Sequence, residues 1–480
     1  MVESIQMPVG LNSEVGGIGF LPDGRLIACF HRGEVMTYAP DTKEWKLFAE
    51  GLHDPLGLLV ISNKEVLVMQ QPELTRIQDT DGDGQADLYE TVMDKFGISG
   101  NYHEFNYGPV RDKAGNMFIA LNTGSSGDKI RSQVRGELKT DGRDGDTGNR
   151  QMFSVVPFRG WVMKLTPAGE LMPFAMGFRS PNGIGFDSEG RLLVADNQGD
   201  WVSTSSLYHV EEGKFYGHPA SLVWKKDWHQ GNPFFMPVSE LNAMRTKAIV
   251  LFPQGIMANS PSQILCDTTR GKFGPFGGQL LVGEMNHKRI IRVMLETVDG
   301  ALQGACLPFL DEGDLRMGNN RLAFAPDGSL WVGQTDHGWA GDEGIQRISF
   351  TGVTPMDVYT MKLTPVGFDL TFTRPVDTGN ASDPAHYRLR HYYYDYYKKG
   401  PQEGVDDAIQ LDVQTVKVTD IKISGDGRTV SLVLDKLKAG YVYELKLENI
   451  KSEDGRALEH PLICYTLNHL KSQDLSSAVK

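Results

Sequence analysis

GGIGFLPDGRLIACF, residues 16–30, decides the fold. It reads as an apolar strand, a tight turn on Asp23-Gly24 and a second apolar strand. Asp-Gly between two such runs is a strong hairpin signal. The same order recurs in LGLLVISNKEVLVMQ (56–70), YGPVRDKAGNMFIAL (107–121) and NGIGFDSEGRLLVAD (182–196). It returns in SQILCDTTRGKFGPFGGQLLVGE (262–284) and RLAFAPDGSLWVGQ (321–334). A repeat period of about 50 residues is that of propeller blades. An all-β chain is expected, with residues 1–350 forming a six-bladed β-propeller.

The repeat stops at residue 350, and TGVTPMD (351–357) reads as a linker. Beyond it, MKLTPVGFDLTFTRPV and VKVTDIKISGDGRTVSLVLDKLKAGYVYELKLENI alternate apolar and polar residues without the propeller pattern. Residues 358–470 are therefore expected to form a small Ig-like or fibronectin-like β-sandwich. Residues 471–480 would be a frayed tail. HYYYDYY (391–397) reads as packed strand and loop, with a binding surface as the alternative. Residues 122–160 form a long Gly-, Asp- and Arg-rich insertion between the third and fourth repeats, either a lid or a solvated loop.

The 480 residues carry a formal charge of −13, which disfavours a phosphate backbone as partner. No apolar run reaches the roughly 18 residues of a membrane span. MVESIQMPVG is not a signal peptide, so the expectation is a cytoplasmic protein or, preferred, a secreted or periplasmic mature form. The four cysteines form no CxxC or CxxCH motif, which argues against covalent c-type haem. Cys29 and Cys266 read as buried thiols, with a Cys266–Cys306 bridge as the alternative.

In a propeller, equivalent loops of each repeat form a ring around the axis. The loops leading into the repeats carry His53 and Asp54, His103 and Glu104, Arg179 and Asn182, Asn259 and Ser260, and Asn320 and Arg321. The loops leaving the second strands carry His31 and Arg32, Gln70 and Gln71, Asn122, and Asp196 to Gln198. Later loops add Glu284, Asn286 and His287, then Gln334, Asp336 and His337. Polar groups gathered at one end of a scaffold are the usual makings of a site. Histidine there suits general-base catalysis or ligation of a transition metal.

DTDGDGQADLYE (79–90) spaces its oxygens as a hard cation such as Ca²⁺ requires. Asp79, Asp81, Asp83, Asp87 and Glu90 would supply carboxylates and Gln85 a carbonyl, with Gly84 at the turn. The flanks read as strands, so a structural Ca²⁺ clamp on a hairpin is expected.

LHDPLGL, TRIQDTDGDGQADLYETV, GQLLVGEMNHKRIIRVML and above all DNQGDW…FYGHP resemble the glucose/sorbosone dehydrogenase family over residues 10–350. The resemblance is nearest to the secreted "membrane-bound dehydrogenase" branch of planctomycetes and verrucomicrobia. It implies a six-bladed propeller acting on a sugar or polyol, with pyrroloquinoline quinone (PQQ) and Ca²⁺ in the better-known relatives. It places His103 on the catalytic base, Arg179 beside the quinone, and Gln198 on a quinone-binding glutamine. Gly199 and Asp200 fall on the pair whose carbonyls hold the site Ca²⁺. Ser180 stands where the family has asparagine, Asn286 where it has lysine, and Gly318 and Asn320 where it has two arginines. Three buried carboxylates need matched cations, so these departures weigh against PQQ.

Three functions follow as expectations. The first is a sugar or polyol dehydrogenase passing electrons to an external acceptor such as a separate cytochrome. The second is a metal-dependent lyase or hydratase with His53, His103, His287 and His337 as ligands, completed by Glu104 or Glu284. The third is a non-catalytic carbohydrate- or partner-binding scaffold.

Overall fold

The computed structural model describes residues 1–131, 135–143, 151–337, 341–397 and 409–472. Each repeat folds into an antiparallel sheet, four-stranded in all but the fifth, and the sheets follow one another along the chain. The first comprises Val15–Phe20, Leu26–Phe30, Val35–Ala39 and Glu44–Ala49. The innermost strands of the next five are Gly57–Val60, Asn106–Arg111, Gly183–Phe186, Pro261–Cys266 and Asn319–Phe324. Each packs on the innermost strand of the next sheet, and Asn319–Phe324 returns to Val15–Phe20, so the ring closes as a β-propeller. The closing sheet takes its outermost strand from the N-terminus, Val2–Ile5, which pairs with Gly344–Ile348.

The crowding of the axis explains the glycines that start the repeats. A Cβ on Gly57 would stand 1.6 Å from the Gly108 carbonyl oxygen, and one on Gly16 1.7 Å from that of Pro55. Only glycine lets neighbouring inner strands approach this closely.

The fifth sheet does not end at the propeller rim. Its outer strand Ala301–Asp311 pairs with Leu462–Leu467, and the ladder continues through Tyr441–Leu447, Tyr387–Tyr393 and Leu411–Val416. A second sheet, built of Val358–Thr364, Gly367–Phe372, Thr429–Leu434 and Val418–Ile423, covers it. The core between them joins Phe368, Leu432 and Tyr465 to Met294 and Leu307 of the propeller. The C-terminal region is thus joined to the ring by a shared sheet and a shared core. Buried Arg292 reinforces the joint by donating to the Asp357 carboxylate at 3.0 Å and the Val358 carbonyl at 2.7 Å.

The tyrosine-rich stretch belongs to the same joint. Tyr392 is buried, and Tyr396 packs on Trp201 and donates its hydroxyl to the Gly217 carbonyl at 2.6 Å. The four cysteines are buried free thiols, with Cys306 and Cys464 opposite each other across the shared sheet. Of the 122–160 insertion, residues 132–134 and 144–150 lie outside the described residues, as do 473–480 of the expected tail. The described parts of the insertion are packed: Gly124 bridges Phe153, and buried Arg159 donates to the carbonyls of Gly97 and Glu104.

Candidate functional site

The antiparallel register of the inner hairpins brings the predicted polar loops to one end of the ring. Val15 opposes Phe30, Gly57 opposes Met69, Asn106 opposes Leu121 and Gly183 opposes Ala195. Pro261 opposes Glu284 and Asn319 opposes Gln334. The loop into each first strand and the loop out of each second strand therefore meet at the same mouth. Two groups of side chains stand out there.

The first centres on His103 and Arg179. His103 is half-buried, and its Nδ1 donates to the Thr123 carbonyl at 2.9 Å. A carbonyl only accepts, so the tautomer is set and Nε2 keeps its lone pair. Burial, and after it the positive charge of Arg179, pushes His103 down to about 4. The ring is a neutral base at neutral pH. Thr123 also ties the two residues together, because its hydroxyl donates to the Arg179 carbonyl at 2.7 Å.

The Arg179 guanidinium donates from Nε to Asp200 Oδ1 at 3.0 Å. Asp200 is fully buried, and its other oxygen lies 2.7 Å from His218 Nε2 and accepts from the Met152 amide at 2.9 Å. Burial alone would raise this carboxyl, but His218, Arg179 and the Met152 amide hold it well below the usual carboxylate range. Met152 belongs to the 122–160 insertion, which is thereby fastened to this corner. Asp196 accepts from the amides of Arg179 and Ser180, and burial still raises it to about 6. His218, in the quoted FYGHP stretch, was not singled out from sequence; only its contact with Asp200 marks it.

The second group lies across the mouth. His31 Nδ1 is 2.6 Å from Asp54 Oδ1, and His337 Nδ1 is 2.9 Å from Glu14 Oε2. The two imidazoles stack at 3.8 Å, and His337 Nε2 lies 3.6 Å from Asp54. Phe105 joins the groups, its ring 5.7 Å from His103 and 6.0 Å from His337. Glu14 precedes the first repeat and carried no sequence signal.

The remaining predicted residues are distributed differently. Arg321 is buried on the axis, where it donates to the carbonyls of Gly16 and Leu56, the Asn182 side chain, and Asn320. Its guanidinium holds the inner strands together and lines the small cavity below it. Asn182 accepts from it at 3.0 Å and is buried as well. Below Arg321, on the side away from the mouth, a small channel runs between Ile18, Leu58, Val110 and Ile184. Glu104 is fully buried, with both carboxylate oxygens accepting from Ser99 at 2.7 Å. Glu284 caps its own loop, accepting from the amides of Asn259, Ser260 and His287. His53 is exposed, with Nε2 2.6 Å from Gln71 Oε1. Gln198, Asn286 and His287 are half-buried at the rim, and His287 Nε2 is buried without a hydrogen-bond partner. Among the described residues, the histidines that join a group of three ligand-type side chains are His31 and His337, together with Glu14. His53, His103 and His287 stand apart from that group.

The acidic loop joins Leu74–Gln78 to Leu88–Met93 at the end of the second sheet opposite the mouth. Asp79, Asp81 and Asp83 converge within 4.8 Å. Gln85 donates its amide to Asp83 at 2.8 Å. Asp87 accepts from Thr80, and Glu90 instead pairs with Arg76 at 2.7 Å across the strands. The loop is preshaped by three carboxylates, and Glu90 does not reach back into it.

Residues 41–336 match a family described as "Domain of unknown function (DUF7133)". The chain belongs to this family. No curated protein matches it in sequence. Among solved structures, it is similar to an oxidoreductase described as a glucose dehydrogenase from Thermus thermophilus, at 18% identity and a TM-score of 0.50. That likeness covers 72% of this chain and 99% of the other, which supports the propeller fold. The PQQ-bound aldose sugar dehydrogenase of Streptomyces coelicolor matches at 17% identity and a TM-score of 0.49, over 73% of this chain and 98% of that one. In this DUF7133 chain the mouth does not fit the quinone. Arg179 is neutralised by Asp200, Arg321 is occupied on the axis, and Glu14 and Asp54 face the same opening. A tricarboxylate would meet more anions than free cations. The corner of Gly199 and Asp200 is no better suited to Ca²⁺: the Arg179 guanidinium lies so close that a Cβ on Gly199 would be 2.0 Å from its Nε.

Proposed function

We propose that the propeller mouth binds a sugar or polyol and that His103 takes a proton from one of its hydroxyls. The observation carrying this reading is the His103 geometry: Nδ1 pinned to the Thr123 carbonyl, Nε2 left as a base, and Arg179 alongside. Arg179, whose Nε is taken by Asp200, would polarise the substrate oxygen through its terminal nitrogens as the proton leaves. The fold shared with sugar dehydrogenases favours an oxidation, and we take the protein to be a dehydrogenase-like oxidoreductase. His103 accounts for the hydroxyl proton alone; the carbon-bound hydrogen leaves with both electrons, as hydride, to a diffusible two-electron acceptor of the quinone or dye class, from which a separate cytochrome is proposed to draw the electrons. The wider proposal is a secreted or periplasmic protein with six blades, a Ca²⁺-clamped loop at Asp79–Asp83 and an Ig-like C-terminal sandwich.

The test is dye reduction by purified protein across a panel of aldoses and polyols. Turnover is expected to fall on His103→Gln by about 10²–10⁴-fold. Absence of dye reduction with every sugar, with or without added PQQ, would remove the dehydrogenase reading. A metal-dependent lyase or hydratase is the second reading, favoured by the group of Glu14, His31 and His337. It needs no oxidant, so product formed without dye would select it.

A further inference from the structure

We infer that Glu14, His31 and His337 form a binding site for one divalent transition-metal ion at the propeller mouth. Each offers one ligand atom, and the three lie within 4.8 Å of one another. A mixed carboxylate and imidazole set suits Zn²⁺, Mn²⁺, Fe²⁺ or Co²⁺ better than Ca²⁺, which takes oxygen alone.

His31 carries the strongest sign. It is 7% exposed, and its Nε2 is buried without a hydrogen-bond partner. A buried polar nitrogen left unpaired is costly unless something else binds it. Its Nδ1 meets the Asp54 carboxylate at 2.6 Å. A carboxylate on one ring nitrogen, with the other left free, is how proteins orient a metal-ligating histidine. Asp54 is thus a positioning residue, and Glu14, His31 and His337 are the ligands.

The local charge favours a cation. Asp336 and Glu343 stand close to Glu14, within 4.8 Å between carboxylate oxygens. Among the described residues, no Lys or Arg side chain pairs with the carboxylates of Glu14, Asp54, Asp336 or Glu343. Phe105 separates this group from His103, so a metal here would sit beside the proposed base and could take a substrate oxygen as a further ligand. The inference concerns binding of the ion and stands whether or not the sugar reading holds.

The test uses the full chain, stripped with a chelator and titrated with Co²⁺, whose visible bands report nitrogen and oxygen ligation. One Co²⁺ per chain is expected, competed away by Zn²⁺. Glu14→Gln and His337→Asn should abolish the bands, and Asp54→Asn should weaken affinity by about 10–100-fold. Asp426→Ala, at an exposed turn of the C-terminal sheets, should leave them unchanged. His31→Gln removes a buried side chain, so His337→Asn, half-exposed, is the decisive variant, with its fold checked by circular dichroism. No Co²⁺ band, or a band that survives in folded His337→Asn and Glu14→Gln, would overturn the inference.

Discussion

The two sides of the propeller mouth use the same kinds of side chain to opposite effect. At the Arg179 corner each charge has a partner: Asp200 takes Arg179 and His218, and Asp196 takes two backbone amides. At the Glu14 corner two histidines face two carboxylates, with further carboxylates behind them and a buried ring nitrogen unpaired. The first corner pairs its charges internally and holds His103 neutral, although His218 Nδ1 is buried without a hydrogen-bond partner. The second leaves its carboxylates without a Lys or Arg partner among the described residues, as the proposed cation site requires. A closed network sets the state of a catalytic group, whereas an open one offers a place to bind.

The largest expected effect tests the closed corner through chemistry. Loss of turnover in His103→Gln should occur at an unchanged melting temperature, since the side chain is only half-buried. A parallel drop in stability would mean that His103 serves packing. The next effect sets the corners against each other. Asp200→Ala leaves His218 and Arg179 without their buried partner and should cost about 3–5 kcal/mol in urea unfolding. Glu14→Gln, measured in chelator, should stay within about 0.5 kcal/mol of the parent, because it removes one of several like charges. Equal costs would erase the distinction between the corners.

A third effect is pH dependence. The folded His103 value, about 4, lies below its ordinary 6.5, so the unfolded chain binds the extra proton first. Its contribution to stability is complete above pH 6.5 and is lost as pH falls toward 4. Turnover should likewise hold through neutral pH and fall only as pH approaches 4, a decline absent from the residual rate of His103→Gln. The smallest effect lies away from the mouth. Asp83→Ala should lower the melting temperature by a few degrees in Ca²⁺ and leave it unchanged in EDTA. Equal losses in both media would leave the acidic loop without a cation role.

Much of the fold was legible because its signals are local. A hairpin is written in neighbouring residues, as in Leu21 to Leu26, and its repetition implies a ring. The direction of the mouth followed from the same register, so His103, Arg179 and His337 were found together. Other residues were misplaced because partners matter more than position. Glu104 sits beside His103 in sequence, yet its carboxylate is held by Ser99 and lies beside buried Arg159. Glu90 has the spacing of a last calcium ligand, yet strand register sets it opposite Arg76.

The sequence by itself determined the repeating sheets and the end of the ring at which polar loops gather. These depend on alternation and turn chemistry within a few residues. Only the tertiary structure decided which of the gathered groups remain available. Arg321 reads as a site cation, but it binds the Gly16 carbonyl 305 residues away and closes the axis. His337 meets Glu14 across 323 residues, and the pair becomes part of the proposed metal site. The C-terminal strands extend the fifth sheet through Cys306 and Cys464, a pairing across 158 residues. Long-range partners satisfy or expose a polar group, and no local pattern records which.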